Sequence, residues 1–244
     1  MARFLLTCWY EQKSIMSKMQ VGPGHKSEKV QGKQCVRCKH CNYQFTRLTP
    51  RGHPSSEKSM AVILYTLGLS MNVIAKLFKV STPAVLTWIK NFAIANYEKP
   101  VPKDAILIEI DEMWHFLKSK KRVWIWKAYC RETGKIVDWQ CGGRDKKTFM
   151  KLWKRLLKWN IELFCTDGYD VYARVIPDDK LFQSKSQTIF IERNNGRQRH
   201  WFARFRRKSI VVSKTLEMIN LTMGLFARFH VNGSWTEIPA LFSY

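Results

Sequence analysis

Two rhythms of apolar and polar residues run through this chain, and they change over near residue 100. Between residues 58 and 92, apolar side chains recur every three or four positions, the period of a helix. Residues 58–67 predict one helix, stopped at Gly68, because glycine readily takes the left-handed conformation that follows a helix. Ser70 caps a second helix with Val73, Ile74, Leu77 and Phe78 at helical spacing. Ser81 and Thr82 precede Pro83, which suits the first turn of a third helix over residues 84–92. Helix, tight turn and capped helix make a helix-turn-helix pattern, whose last helix would carry Thr82, Thr87 and Lys90 to the DNA major groove. The same spacing also fits a plain three-helix bundle.

Pro100 and Pro102 mark a linker, and beyond it the pattern becomes α/β. Residues 105–114 read as a strand, and residues 122–130 and 135–140 as a hairpin around Thr133 and Gly134. Residues 146–159 form an amphipathic helix with Phe149, Leu152, Trp153, Leu156 and Leu157 on one face. Residues 160–166 are nearly all apolar, as in a strand covered on both faces. Residues 190–207 and 209–229 predict two closing helices.

Two acids interrupt this apolar text at costly places. Asp111 closes the strand run 106–111, and Asp167 follows the run 161–166. A carboxylate at the end of a buried strand is expensive without a partner, and two on adjacent strands repel each other unless a cation lies between them. Mg²⁺ or Mn²⁺ suits such hard oxygen ligands, and two such ions would clamp the attacking and leaving oxygens of a phosphoryl transfer. A third acid, Glu192, shares a helix face with Asn195 and Arg199 at i, i+3 and i+7. From Arg193 to Lys208 there are seven Lys and Arg residues and no acid, interleaved with Trp201, Phe202 and Phe205. That run, with Arg204 and Arg207, reads as a phosphate track with stacking surfaces. Strand alternation puts Glu109 and Asp111 on one face and Glu112 on the other, so Asp111 is the preferred metal ligand and Glu112 supports it from behind. His115 and His200 lie near these acids and read as packing or hydrogen-bonding groups.

Composition points to the same partner. The 244 residues carry 42 Lys and Arg against 19 Asp and Glu, a net charge of +23, and both halves of the chain share the excess. Such a charge calls for a polyanion, with nucleic acid first and an anionic membrane surface as rival. No apolar run approaches the roughly 20 residues of a membrane helix. The seven cysteines are an odd number, with Cys35, Cys38 and Cys41 crowded at two Cys-x-x-Cys steps that share Cys38. That spacing suits Zn²⁺ or free thiols in a cytoplasmic protein rather than a disulfide frame.

Taken together, the residues resemble those of the insertion-sequence-one family of bacterial transposases. The resemblance lies in Ile110-Asp111-Glu112-Met113-Trp114, in Thr166-Asp167-Gly168 with Tyr172, and in Ile191-Glu192-Arg193-Asn194. The basic stretch 204–209 and the segment 32–45 around Cys35, Cys38 and Cys41 are similar to that family's C-terminal and zinc-binding stretches. The chain departs from the pattern where the family's first Cys-x-x-Cys is expected, since Val21-Gly22-Pro23-Gly24-His25 stands there instead. The resemblance implies an α/β ribonuclease-H-like catalytic domain, a mixed sheet flanked by helices, preceded by a small zinc-knuckle-like segment and a helical helix-turn-helix domain. Along the chain this gives an unassigned segment 1–31, a zinc-ribbon-like segment 32–50, a helix-turn-helix domain 51–97, a linker 98–104, a catalytic domain 105–232 and a tail 233–244. The implied activity is cleavage and strand transfer of double-stranded DNA, at element ends and at a target, by a nucleoid-associated homo-oligomer. A catalytically silent repressor bound to the same ends is the alternative. A structure-selective nuclease of the same fold would have little use for the sequence-reading helices.

Overall fold

Three short antiparallel strands, β1 (Gly24–Val30), β2 (Lys33–Cys38) and β3 (Gln44–Thr46), lie in a first unit, residues 1–53. The computed structural model describes residues 24–30, 33–38, 44–46, 52–118, 121–207 and 209–242. Cys35 is buried in β2, whereas the Cys38 side chain and all of Cys41 lie outside the described residues, as does the segment 1–23.

The second unit, residues 54–244, begins with three helices: α1 (Ser55–Thr66), α2 (Met71–Phe78) and α3 (Thr82–Asn96). The serines expected to cap the last two do so: Ser70 Oγ accepts from the Val73 N–H and Ser81 Oγ from the Ala84 N–H. Gly68 ends the first turn with φ +102°, and a Cβ there would also stand 2.8 Å from the Trp201 carbonyl oxygen. The position therefore needs glycine for its backbone and for its close approach.

A five-stranded sheet follows, made of β4 (Asp104–Leu117), β5 (Lys121–Cys130), β6 (Lys135–Gly142), β7 (Asn160–Thr166) and β8 (Leu181–Gln183), in the spatial order β6-β5-β4-β7-β8. The pairs β4–β5 and β5–β6 are antiparallel, while β4–β7 and β7–β8 are parallel. This mixed sheet flanked by helices is compatible with the ribonuclease-H-like expectation. Helix α4 (Lys146–Leu156), capped by Asp145, carries the chain from β6 across to β7. Phe149, Leu152, Trp153 and Leu156 are buried as expected, but Leu157 falls past the last helical turn and is 62% exposed.

Three further expectations are corrected. Asp111 does not end its strand, because β5 continues to pair with β4 as far as Leu117 opposite Lys121. After the single turn α5 (Asp170–Ala173), helix α6 spans only Ile189–Trp201. Phe202 then leaves the helical conformation, at φ −115° and ψ 112°, to enter the core. Residues 209–215 are not helical either: Ser213 bridges to Leu117 beside the end of β4, and α7 (Leu216–Phe226) starts only where Thr215 caps it.

Both sheet faces are buried. On one, Ile108, Ile110, Trp126 and Ala128 pack under α4 and Tyr172. On the other, Met113, Val123 and Ile125 share one apolar cluster with Val62, Tyr65, Ile74, Ile89 and Phe92 of α1–α3 and with Phe202, Phe226 and Phe229. A buried hydrogen bond between the Tyr65 and Thr222 hydroxyls (2.8 Å) joins α1 to α7. Cys130, Cys141 and Cys165 are buried free thiols, and among the described residues no helix is long and apolar enough to cross a membrane. Phe92 stacks between Phe229 and Phe242, so Phe92→Ala is expected to cost about 3–5 kcal/mol. Because helices and sheet share that core, unfolding of the second unit, followed by its helical far-UV circular dichroism and by tryptophan fluorescence, should stay a single transition at lower Tm. Two separated transitions would contradict the shared core.

Candidate active site

The chain enters the sheet at its middle strand, adds β5 and β6 on one side, then crosses over to add β7 and β8 on the other. The crevice at such a switch of direction, beyond the carboxyl end of a parallel strand, is where open sheets place their ligands. Here β7 stops at Thr166, paired with Ile110, while β4 runs on. The next residue in each case is an acid, Asp111 on β4 and Asp167 just past the end of β7.

Asp111 is held from two directions. Asn195 Nδ2 on α6 donates to Asp111 Oδ2 (2.6 Å), and Lys127 is its cross-strand partner on β5. Burial, the negative charge of Glu112 and, more weakly, that of Asp167 push the Asp111 carboxyl up to about 7, against the pull of Lys127. Lys127 itself is 0% exposed and, among the described residues, forms no ion pair with a carboxylate; its Nζ donates to Asn194 Oδ1 and Gln198 Oε1, both 2.9 Å. Burial lowers its ammonium to about 7, opposed by Asp111. The Asn195 Oδ1 atom, buried beside this pair, has no hydrogen-bond partner.

Glu112 points to the opposite sheet face, as alternation predicts, and both of its oxygens are engaged. Oε2 accepts from the Tyr172 hydroxyl (2.6 Å), and Oε1 from Arg144 Nε (2.8 Å) and Nη2 (2.7 Å). Burial still raises its pKa, and these two donors counter the rise. Arg144 lies over the Trp124 and Tyr169 rings, which fixes the plane of its guanidinium. Tyr172 and Arg144 thus tie Glu112 into the wall of the crevice.

Other expected site residues are placed unevenly. Glu192 lies on α6 one turn before Asn195 with its side chain exposed, and among the described residues no three His, Cys, Asp or Glu side chains are grouped to hold a metal ion. Arg199 is half-buried within reach of the Asp111 charge; burial first, then Arg207, lower its pKa. Arg207 is exposed, and Lys208 lies outside the described residues. Arg204 is buried, donating to Ser213 Oγ (3.0 Å) and lying over the Tyr65 ring. Phe202 and Phe205, expected as stacking surfaces, are instead core residues, because the turn after α6 folds them under the sheet. His115 is buried against Phe205 and Ser213, a packing role as expected. On α3, Thr87 is exposed, Thr82 bonds Asn72, and Lys90 pairs with Glu217 (2.7 Å).

Sequence comparison adds a relationship to this geometry. The family model described as IS1 transposase matches residues 105–232, the sheet from the second residue of β4 onward and helices α4–α7. The chain belongs to the IS1 transposase family. It is 35% identical over 128 residues to the insertion element iso-IS1n protein InsB of Shigella dysenteriae, covering 52% of this chain and 98% of that one. It is 31% identical over 120 residues to the insertion element IS1 protein InsB of Shigella flexneri, covering 49% and 92%, and matches InsB of insertion element IS1 2 from Escherichia coli (strain K12) equally well over 49% and 72%.

Sequence reasoning missed Lys127, Arg144 and the part played by Glu109, which is wholly buried on the Asp111 face of β4. A lysine inside the apolar run 123–130 was the available signal, since an ammonium in a buried strand must be compensated. The raised Asp111 pKa has a stability consequence with a definite sign. The folded protein holds that proton more tightly than the unfolded chain, so Asp111 contributes stability below about pH 4 that is lost as pH rises through about 7. In chelator-treated transposase, Asp111→Asn is therefore expected to raise Tm at pH 7.5 and to lose that advantage near pH 4, as measured by thermal melts across that range.

Proposed function

We propose that this transposase cleaves and rejoins DNA at the ends of an insertion element, with Asp111, Asp167 and Glu192 as its metal-binding acids. The reading is carried by the adjacency of Asp111 and Asp167 at the switch point of the sheet. Family membership supports a DNA-modifying enzyme, and the charge of +23 supports a polyanionic substrate. The donor set fits a hard divalent cation: two carboxylates on neighbouring strands, one with its pKa raised by burial and by neighbouring acids, and a buried amide oxygen without a partner. When bound there, Mg²⁺ or Mn²⁺, as one ion or a pair, would neutralise charge developing on the transferred phosphate and lower the pKa of the attacking water.

The chain's own groups do the rest. Asn195 orients the Asp111 carboxylate, Tyr172 and Arg144 hold Glu112 back from the crevice, and Glu192 completes the acid set from α6. Arg199, Arg207 and Lys208 neutralise backbone phosphates along the strand being cut. Helix α3, with Thr82 and Thr87 on its outer turns and Lys90 beyond them, reads the terminal repeats. Cys35, Cys38 and Cys41 supply thiolates for a Zn²⁺ in the first unit. Joining two ends calls for at least two catalytic subunits in one complex.

Asp111→Asn and Glu192→Gln are each expected to lower divalent-ion-dependent cleavage of end-bearing DNA by at least roughly 100-fold while DNA binding persists. Labelled end fragments, scored for nicking and for gel retardation, provide the measurement. Wild-type cleavage by either variant would overturn the assignment. Wild-type protein that binds ends yet yields no product with any divalent ion would favour the silent repressor.

A further inference from the structure

Helix α6 carries Asn195 and Glu192, yet its own N-cap residue, Thr188, makes no side-chain hydrogen bond to it. The cap comes from the sheet. Glu109 Oε2 on β4 accepts from the backbone N–H of Ile191, the third residue of the helix (2.8 Å). The other Glu109 oxygen accepts from Arg131 Nε (2.8 Å) and Nη2 (2.7 Å). Arg131 also donates to the Gln187 carbonyl oxygen (2.6 Å) and to Gln187 Oε1 (3.2 Å), in the turn that leads into α6, and lies over the Phe190 ring. Glu109 is 0% exposed. A carboxylate is costly at that depth, and it is compensated here by one guanidinium and by the positive end of a helix.

The spacing of these ties matters more than their strength. Glu109 and Asp111 are two residues apart on one strand face, about 6.6 Å. The groups they hold on α6, the Ile191 N–H and the Asn195 amide, are four residues apart, about 6 Å along the helix. Strand and helix therefore mesh at two matched points. A slide of α6 by one residue, about 1.5 Å, would strain both bonds together.

We infer that Glu109 and Arg131 form a positioning pair that sets the register of α6 against β4, and with it the place of Glu192 and Asn195 relative to Asp111. The inference rests on the reading of Glu192 as a catalytic acid. Loss of the pair lets the helix drift along its axis while the fold and the DNA-binding surfaces persist. What changes is the rate of the chemical step and the metal concentration it requires, rather than affinity for the DNA ends.

The test uses the full chain and compares wild type with Glu109→Gln, Arg131→Gln, Arg131→Lys and Glu192→Gln. For each, Tm, affinity for end DNA, kcat and KM for cleavage, and the half-saturating Mg²⁺ concentration are measured, with rates normalised to folded protein. Glu109→Gln is expected to lower kcat at least about tenfold and raise the Mg²⁺ requirement, with KM and DNA affinity within about twofold of wild type. Arg131→Gln should do the same, and Arg131→Lys, which keeps the charge, should recover most of the rate. If Glu109→Gln does not fold, the partly exposed Arg131 variants carry the same comparison. Wild-type kcat and Mg²⁺ requirement in the folded fraction, with only Tm reduced, would overturn the inference. A Glu192→Gln variant that cleaves normally shows instead that the catalytic reading failed, whereas an inactive Glu192→Gln beside a fully active Glu109→Gln removes the register inference alone.

Discussion

Glu109, Asp111 and Lys127 lie on one buried face of the central sheet, and the need to compensate these charges shapes everything packed against it. An uncompensated charge in such a place would outweigh most of what a single core residue contributes. Helix α6 answers all three. It offers its N-terminal amide to Glu109, the Asn195 amide to Asp111 and two side-chain carbonyl oxygens to Lys127. An apolar helix in that position would bury as much area and still offer its backbone amide to Glu109, but it would leave Asp111 and Lys127 without their side-chain partners. The polar character of α6 on its inward side, unusual for a helix on a core, follows from the sheet beneath it.

The same constraint separates the two acids that stand side by side in sequence. Asp111 and Glu112 point to opposite faces, so they meet different surroundings. Glu112 faces Tyr172 and Arg144, which occupy both of its oxygens and make it part of the wall. Asp111 receives one amide hydrogen bond from α6 and sits against a lysine that two amide oxygens already hold. The acid left under-compensated is the one beside Asp167, at the place where β7 ends. Incomplete compensation is a stability cost in a metal-free protein and a binding potential for a cation, and the two are the same electrostatic quantity seen in different states.

Much of this was legible in the sequence where the signal is local. The serine caps of α2 and α3, the stop at Gly68, the hairpin of β5 and β6, the apolar β7 and the alternation along β4 depend on neighbours a few residues away. So does the pairing of two acids next to apolar runs. What was illegible depends on partners far along the chain. Residues 190–207 read as one continuous helix, yet Phe202 leaves α6 to fill space beside Tyr65 and Phe226. Arg204 belongs by composition to a phosphate track and by packing to the Tyr65 ring and Ser213. Lys127 was one basic residue among 42, and only the opposing Asn194 and Gln198 give it a purpose.

The helices before the sheet show the same dependence on distant partners. Val85, Ile89 and Phe92 of α3 belong to the cluster that contains Met113, two residues beyond Asp111 on the same face of β4. The bond from Tyr65 to Thr222 and the ion pair from Lys90 to Glu217 fasten those helices to α7 as well. A core packed at the density of an organic crystal transmits displacement rather than absorbing it. The outer face of α3 and the acids at the sheet switch point are therefore carried by one packed body, and their separation is a property of that core rather than of the proline-containing segment that joins them in sequence.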